Sequence, residues 1–135
     1  MRRLLTIFTA LLLLAPALCA QEQQKINKKN LVIKEWNTDA KSNVRILDHQ
    51  TTYNPDGKKV EEIEYGRSGQ KWRKRYEYGA DGKVAREALY DERNKLVSVK
   101  KFEYNEFGRK KTQYTYDAKG KLVTYKVFEY LTEDA

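Results

Sequence analysis

The chain has 135 residues, with 27 Lys and Arg against 19 Asp and Glu, a formal charge of +8, ten Tyr, one Cys and one His. That single Cys and single His leave too few groups for a nucleophilic triad or a zinc site of the usual kind. The basic excess favours acidic partners such as anionic glycans, lipid headgroups or nucleic acid, but acidic residues interleaved with the lysines weaken any one strong field.

Met1-Arg2-Arg3 is a short positive region, Leu4–Leu14 is apolar except for Thr6 and Thr9, and Ala15–Ala20 supplies small residues around Pro16. This order is that of a secretory signal peptide over residues 1–20, cleaved after Ala20, with Cys19 or Ala17 as alternative ends. The apolar run falls short of the roughly 20 residues of a membrane span, so no span is expected after cleavage. A lipid anchor at Cys19 is disfavoured because bulky Leu18 precedes it. Cleavage after Ala20 leaves no cysteine and therefore no disulfide. The expected address is exported, periplasmic or extracellular.

Residues 21–30 read as a flexible polar start. Leu31–Trp36 reads as a strand, Asn37–Asn43 as a turn and Val44–Tyr53 as a second strand. From there a repeat takes over. Tyr53 opens YNPDGK, Tyr65 YGRSGQ, Tyr78 YGADGK, Tyr90 YDERNK, Tyr104 YNEFGR and Tyr116 YDAKGK, and Tyr130 closes the last strand. The unit is Tyr, then Asn, Asp or Gly, two free positions, Gly or Asn, then Lys, Arg or Gln. Its Gly or Asn sits where a type I turn needs a following residue at positive φ. The eight to ten residues between turns suffice for one strand each, and no parallel crossover fits. The expectation is an all-β antiparallel meander of about eight strands over 31–130, either a single twisted sheet or a partly closed barrel, with a tail at 131–135.

If each hairpin pairs the residue before its loop with the residue after it, Asp91 faces Lys95 and Asp117 faces Lys121. Each such pair sums to an even number, so parity names the face. The even face then carries Trp72, Tyr76, Tyr78, Tyr90, Tyr104, Tyr114 and Tyr116, and the odd face carries charge at Arg73, Arg75, Glu77, Lys101 and Glu103. Two features qualify this. The odd spacing from Tyr65 to Tyr78 predicts a β-bulge, or a different turn, between Tyr65 and Tyr76. Val97, Val99, Val123, Tyr125 and Val127 also form an apolar patch on the odd face.

YNPDGK, YDERNK, YNEFGR and YDAKGK, with strand ends YEY, FEY and YTY, resemble the tyrosine–aspartate (YD, or Rhs-type) repeat of bacterial envelope proteins. The resemblance covers residues 53–130. It implies a β-hairpin fold and an envelope address, as in short exported bacterial proteins, and it supplies no catalytic residue.

No catalytic residue, metal ligand or cofactor is expected. His49 reads as a structural or exposed strand residue. Glu61, Glu62, Glu64, Glu77, Glu103 and Glu129, set between basic residues, read as cross-strand partners rather than a paired-acid site. The aromatic face is either the core or a binding surface for a glycan or a surface protein, through Trp72, Tyr76, Tyr78, Tyr90, Tyr104, Tyr114 and Tyr116. The expected function is thus that of a non-catalytic exported binding module. The alternatives are a structural or assembly protein that uses a sheet edge at Leu31–Trp36 or Lys121–Tyr130, and a polyanion or nucleic-acid binder, which the export segment disfavours.

Overall fold

The turns are built from their own side chains. In the fourth repeat, Asp91 N–H donates to Lys95 O and Asn94 N–H to Asp91 O. The Asp91 carboxylate accepts from the amides of Arg93 and Lys95, at 2.9 and 3.0 Å. Those backbone donors hold its pKa below the ordinary value. The side-chain oxygens of Asn54, Asn105 and Asp117 accept from the amides of Lys58, Arg109 and Lys121 in the same way. Asn94 sits at φ 59° and Gly82 at φ 78°, so the repeat's Gly-or-Asn position is the left-handed residue of the turn.

The computed structural model describes residues 25–133. The segment expected to be a signal peptide and Cys19 fall outside the described residues. Eight strands follow in order: β1 (Val32–Thr38), β2 (Arg45–Tyr53), β3 (Lys59–Gly66), β4 (Gly69–Tyr78), β5 (Val84–Tyr90), β6 (Leu96–Tyr104), β7 (Lys110–Asp117) and β8 (Leu122–Val127). Each pairs antiparallel with the next, in one open sheet of order β1 to β8. The sheet is not closed into a barrel. The segment expected to be a flexible start is tied down at Asn27–Asn30. There Lys29 N–H donates to Asn27 Oδ1 and Asn30 N–H to Asn54 O, both at 3.0 Å.

A one-residue register shift accompanies every hairpin, not only the one near Tyr65. Tyr78 pairs Val84 but Glu77 pairs Arg86, leaving Ala85 unpaired. Val60, Lys71, Val97, Lys111 and Val123 are the corresponding extra residues in their hairpins. Each of these six lies at the second or third residue of the incoming strand; between β1 and β2 the extra residue is Asp48, the fourth of β2. In the hairpins that begin at Tyr53, Tyr78, Tyr90, Tyr104 and Tyr116 the pair beside the turn therefore has even parity and the pairs beyond the bulge odd parity, whereas at Tyr65 the order is reversed. Asp91 does face Lys95 across its turn. The even-face assignment fails one step farther along.

Paired residues share a face and successive residues alternate, so the register sorts the side chains. One face, called front here, carries His49, Glu62, Trp72, Lys74, Tyr76, Tyr78, Glu87 and Tyr104. The back carries Ile63, Arg73, Ala88, Tyr90, Val99, Tyr114, Tyr116 and Tyr125. The single aromatic face is thereby corrected: tyrosines that open successive turns project from opposite faces.

Among the described residues no second layer covers either face, and only Ile63, Ala88 and Val99 are buried apolar side chains, with Thr51 and Thr112 the buried polar ones. Packing comes instead from side chains lying along the sheet. Lys ammonium and Arg guanidinium groups lie over aromatic rings, as Lys58 over Tyr78 and Arg73 over Tyr90. Such cation–π contacts are individually modest, about 0.5–1 kcal/mol when exposed.

Candidate functional site

Lys58 closes the turn between β2 and β3. Its ammonium lies over the Tyr78 ring, 5.1 Å from the centroid, and donates to Gly82 O at 2.9 Å. Lys83 lies over Tyr104, Arg109 over Tyr130 and Lys28 over Tyr53, at 5.4–5.5 Å. The phenols are tied as well. Tyr78 donates to Lys59 O, Tyr104 to Val84 O and Tyr130 to Lys110 O, at 2.6–2.7 Å. Tyr78, Tyr104 and Tyr130 recur every 26 residues, one per hairpin, at one end of the front face. Burial pushes the Tyr78 and Tyr104 phenols above their ordinary pKa. A tyrosine whose hydroxyl is bonded and whose ring is capped is an anchor of the sheet, with little left for a ligand.

Toward the middle of the front face, strands β2, β3 and β4 bring together His49, Glu62 and Tyr76. The Tyr76 hydroxyl donates to Glu62. Lys59 Nζ stands 3.2 Å from Glu62 Oε1 and His49 Nε2 stands 3.7 Å from the same oxygen. Burial alone would raise the Glu62 pKa, but the bonds from Tyr76 and Lys59 outweigh it and leave it lowered. Burial, then the bond to Glu62, raises Tyr76 strongly. The ionised carboxylate is thus saturated by donors, and the neutral phenol is committed to it. This is a clamp across three strands rather than a poised acid or base. Trp72 meets the His49 ring edge-on at 6.1 Å, and Lys74 covers the indole at 5.1 Å. Nothing in the spacing of residues 49, 62 and 76 signals this meeting, because bulges in two successive hairpins set it.

The seven expected binding residues are therefore divided. Trp72, Tyr76, Tyr78 and Tyr104 lie on the front; Tyr90, Tyr114 and Tyr116 lie on the back. Arg73 covers Tyr90 at 4.5 Å and Lys101 covers Tyr116 at 5.3 Å. Tyr114 differs, since its ring packs at 6.3 Å against Tyr125 of the last strand.

That last strand is the most open apolar surface of the sheet. Leu122, Val123, Tyr125 and Val127 are 44, 60, 64 and 61 % exposed. Leu122, Tyr125 and Val127 continue the back-face row of Tyr116 and Tyr114, while Val123 is a bulge residue. Of the expected apolar patch, Val99 is buried under its neighbours. Beyond β8 no strand follows among the described residues, and β1 likewise has a partner on one side only. Phe128 N–H donates to Lys111 O. Alternation therefore turns the backbone polar groups of Tyr125 and Val127 outward, away from β7.

Elsewhere, Asn37, Asp39, Ile46, Asp48, Tyr65 and Lys71 line a shallow, open depression beside the first turn. Among the described residues no group of three or more His, Cys, Asp or Glu side chains could hold a metal ion. No protein-family model and no curated protein matches this chain.

Proposed function

We propose that the chain is a non-catalytic sheet module that associates with protein through its β8 edge, by taking on an additional strand. The observation that carries this reading is the exposed apolar row Leu122, Tyr125 and Val127 on a strand with an unpaired outer side. Unpaired strand edges are templates for main-chain hydrogen bonding, and alternate side chains then give the choice of partner. Lys126 guards the edge only in part. The front-face tyrosines support the reading indirectly, because their hydroxyls and rings are already engaged within the sheet. An exported, envelope address belongs to the same proposal and rests on residues 1–20 and on the YD-type turns.

A second reading keeps the glycan. Tyr114 and Tyr125 form a side-by-side aromatic platform with one ring largely exposed, a surface on which a sugar ring stacks. Extended alternating peptides and a glycan panel, each titrated against the protein, separate the two. Peptide binding that protects the Tyr125 and Val127 amides from hydrogen exchange, and that Val127→Pro abolishes, supports strand addition. Glycan binding lost in Tyr125→Ala, with no amide protection, moves the function to the platform.

A further inference from the structure

The two ends of the sheet match one another. Asn27–Asn30 has the chemistry of the internal turns. Lys29 N–H donates to Asn27 Oδ1 as Asp56 N–H donates to Asn54 Oδ1, both at 3.0 Å. Asn30 stands at φ 54°, where Gly57 stands at 75°. The segment thus shares the side-chain bond and the left-handed residue of a repeat turn, while its backbone bonds are redirected: Asn30 N–H donates to Asn54 O and Leu31 N–H to Lys28 O. At the other end, Tyr130 holds the place of Tyr78 and Tyr104, capped by Arg109 and bonded to Lys110 O. It is the tyrosine that elsewhere opens such a turn.

We propose that the partner of the β8 edge is a second copy of this chain, whose Asn27–Asn30 turn and β1 follow Tyr130 as a turn and strand follow each internal tyrosine. This rests on the strand-addition reading above. The internal rule places Tyr53 opposite Lys59, with a bulge at Val60. Asn27 corresponds to Asn54, so Val32 corresponds to Lys59. Beyond the bulge that rule sets Glu129 opposite the second copy's Lys34 and Val127 opposite Trp36; because β1 runs unbroken from Val32 to Glu35, Tyr130 then stands opposite Ile33, on the same face.

Three features agree with that register. First, the charges at the Glu129–Lys34 pair are opposite, and Val127 and Trp36 are both exposed apolar side chains. Second, the backbone groups fit. Tyr53 N–H donates to Leu31 O, so Val32, Lys34 and Trp36 point their polar groups away from β2, as Tyr125 and Val127 point theirs away from β7. Third, Lys34 and Trp36 lie on the back face, as Tyr125 and Val127 do, so the back-face apolar row continues across the joint. Edge β8 meets edge β1, which is a head-to-tail contact. Such a contact is not self-complementary, so it adds copies beyond a dimer, as a ring or an open chain.

The test is sedimentation of the whole chain over a range of concentrations, with five variants. Glu129→Lys and Lys34→Glu each place like charges opposite one another and are expected to weaken self-association about fivefold or more. The double variant Lys34→Glu/Glu129→Lys restores the opposite pair at every joint and is expected to associate like the parent. Val127→Pro and Lys34→Pro each block one edge at an outward N–H, so each alone is monomeric. Mixed, they form a one-to-one pair and nothing larger. A parent that stays monomeric overturns the proposal. So does a double variant with no recovery, or a Lys34→Pro variant that still dimerises, which would indicate β8 against β8. Titration with an unrelated alternating peptide keeps the two readings distinct. A monomeric parent that binds the peptide at β8 loses only the self-partner, whereas one that binds nothing loses strand addition as well.

Discussion

Strands β5 and β8 come from the same tyrosine-led repeat, yet they live in different environments. In β5 Ala88 is 1 % exposed and every other residue is partly covered, whereas every residue of β8 is exposed. Composition does not explain the contrast, since β8 is the more apolar of the two. The difference is a neighbour on each side. In a single-layer sheet a side chain is covered by those beside it in the same row, so burial is a property of position in the strand order. An edge strand with an apolar sequence keeps its apolar surface, and that is where association is expected.

The sharpest way to break the comparison is to enlarge the most buried residue of β5. Ala88→Leu has no room among Arg75, Val99 and their rows, and overpacking of this kind costs about 1–3 kcal/mol. Urea denaturation is expected to show a midpoint drop that Thr124→Leu, a similar enlargement on β8, does not produce. Next comes Gly82→Val. At φ 78° a β-branched residue is strained by about 1–3 kcal/mol, and its Cβ would also displace the Lys58 ammonium, 2.6 Å away. Unchanged stability would mean that this turn is not held in the left-handed conformation. Tyr104→Phe removes one phenol tie, to Val84 O, and is expected to cost about 1 kcal/mol.

The Glu62–Tyr76 clamp makes the central strands pH-sensitive at both extremes. The Glu62 pKa is lowered by folding, so its contribution is present above the unfolded value near 4.5 and is lost as pH falls through the folded one. The Tyr76 pKa is raised, so its contribution is present below the unfolded value near 10 and declines as pH rises beyond that. In Tyr76→Phe the alkaline decline from this residue should vanish, read by thermal melts between pH 8 and pH 11. A profile identical to the parent's would remove the clamp from the account. Smallest of all is Val127→Lys. It is expected to move stability by less than about 0.5 kcal/mol while abolishing association at the β8 edge.

Much of this molecule was legible before any fold was known. Eight antiparallel strands follow from the turns, because Asn, Asp, Gly and the positive-φ position act within four or five residues of one another. Asp91 caps its own turn by bonds to Arg93 and Lys95, and it would do so in any context that let the turn form. The division of Trp72, Tyr76, Tyr78 and Tyr104 from Tyr90, Tyr114 and Tyr116 was not legible in the same way. It depends on a single unpaired residue after each turn. Those residues, Val60, Lys71, Ala85, Val97, Lys111 and Val123, share no chemical type that would announce a bulge. The sequence by itself determined where the chain turns, since turning is local. Tertiary pairing alone decided which side chains share a face and which strand is left open, since a one-residue slip reverses every side chain beyond it.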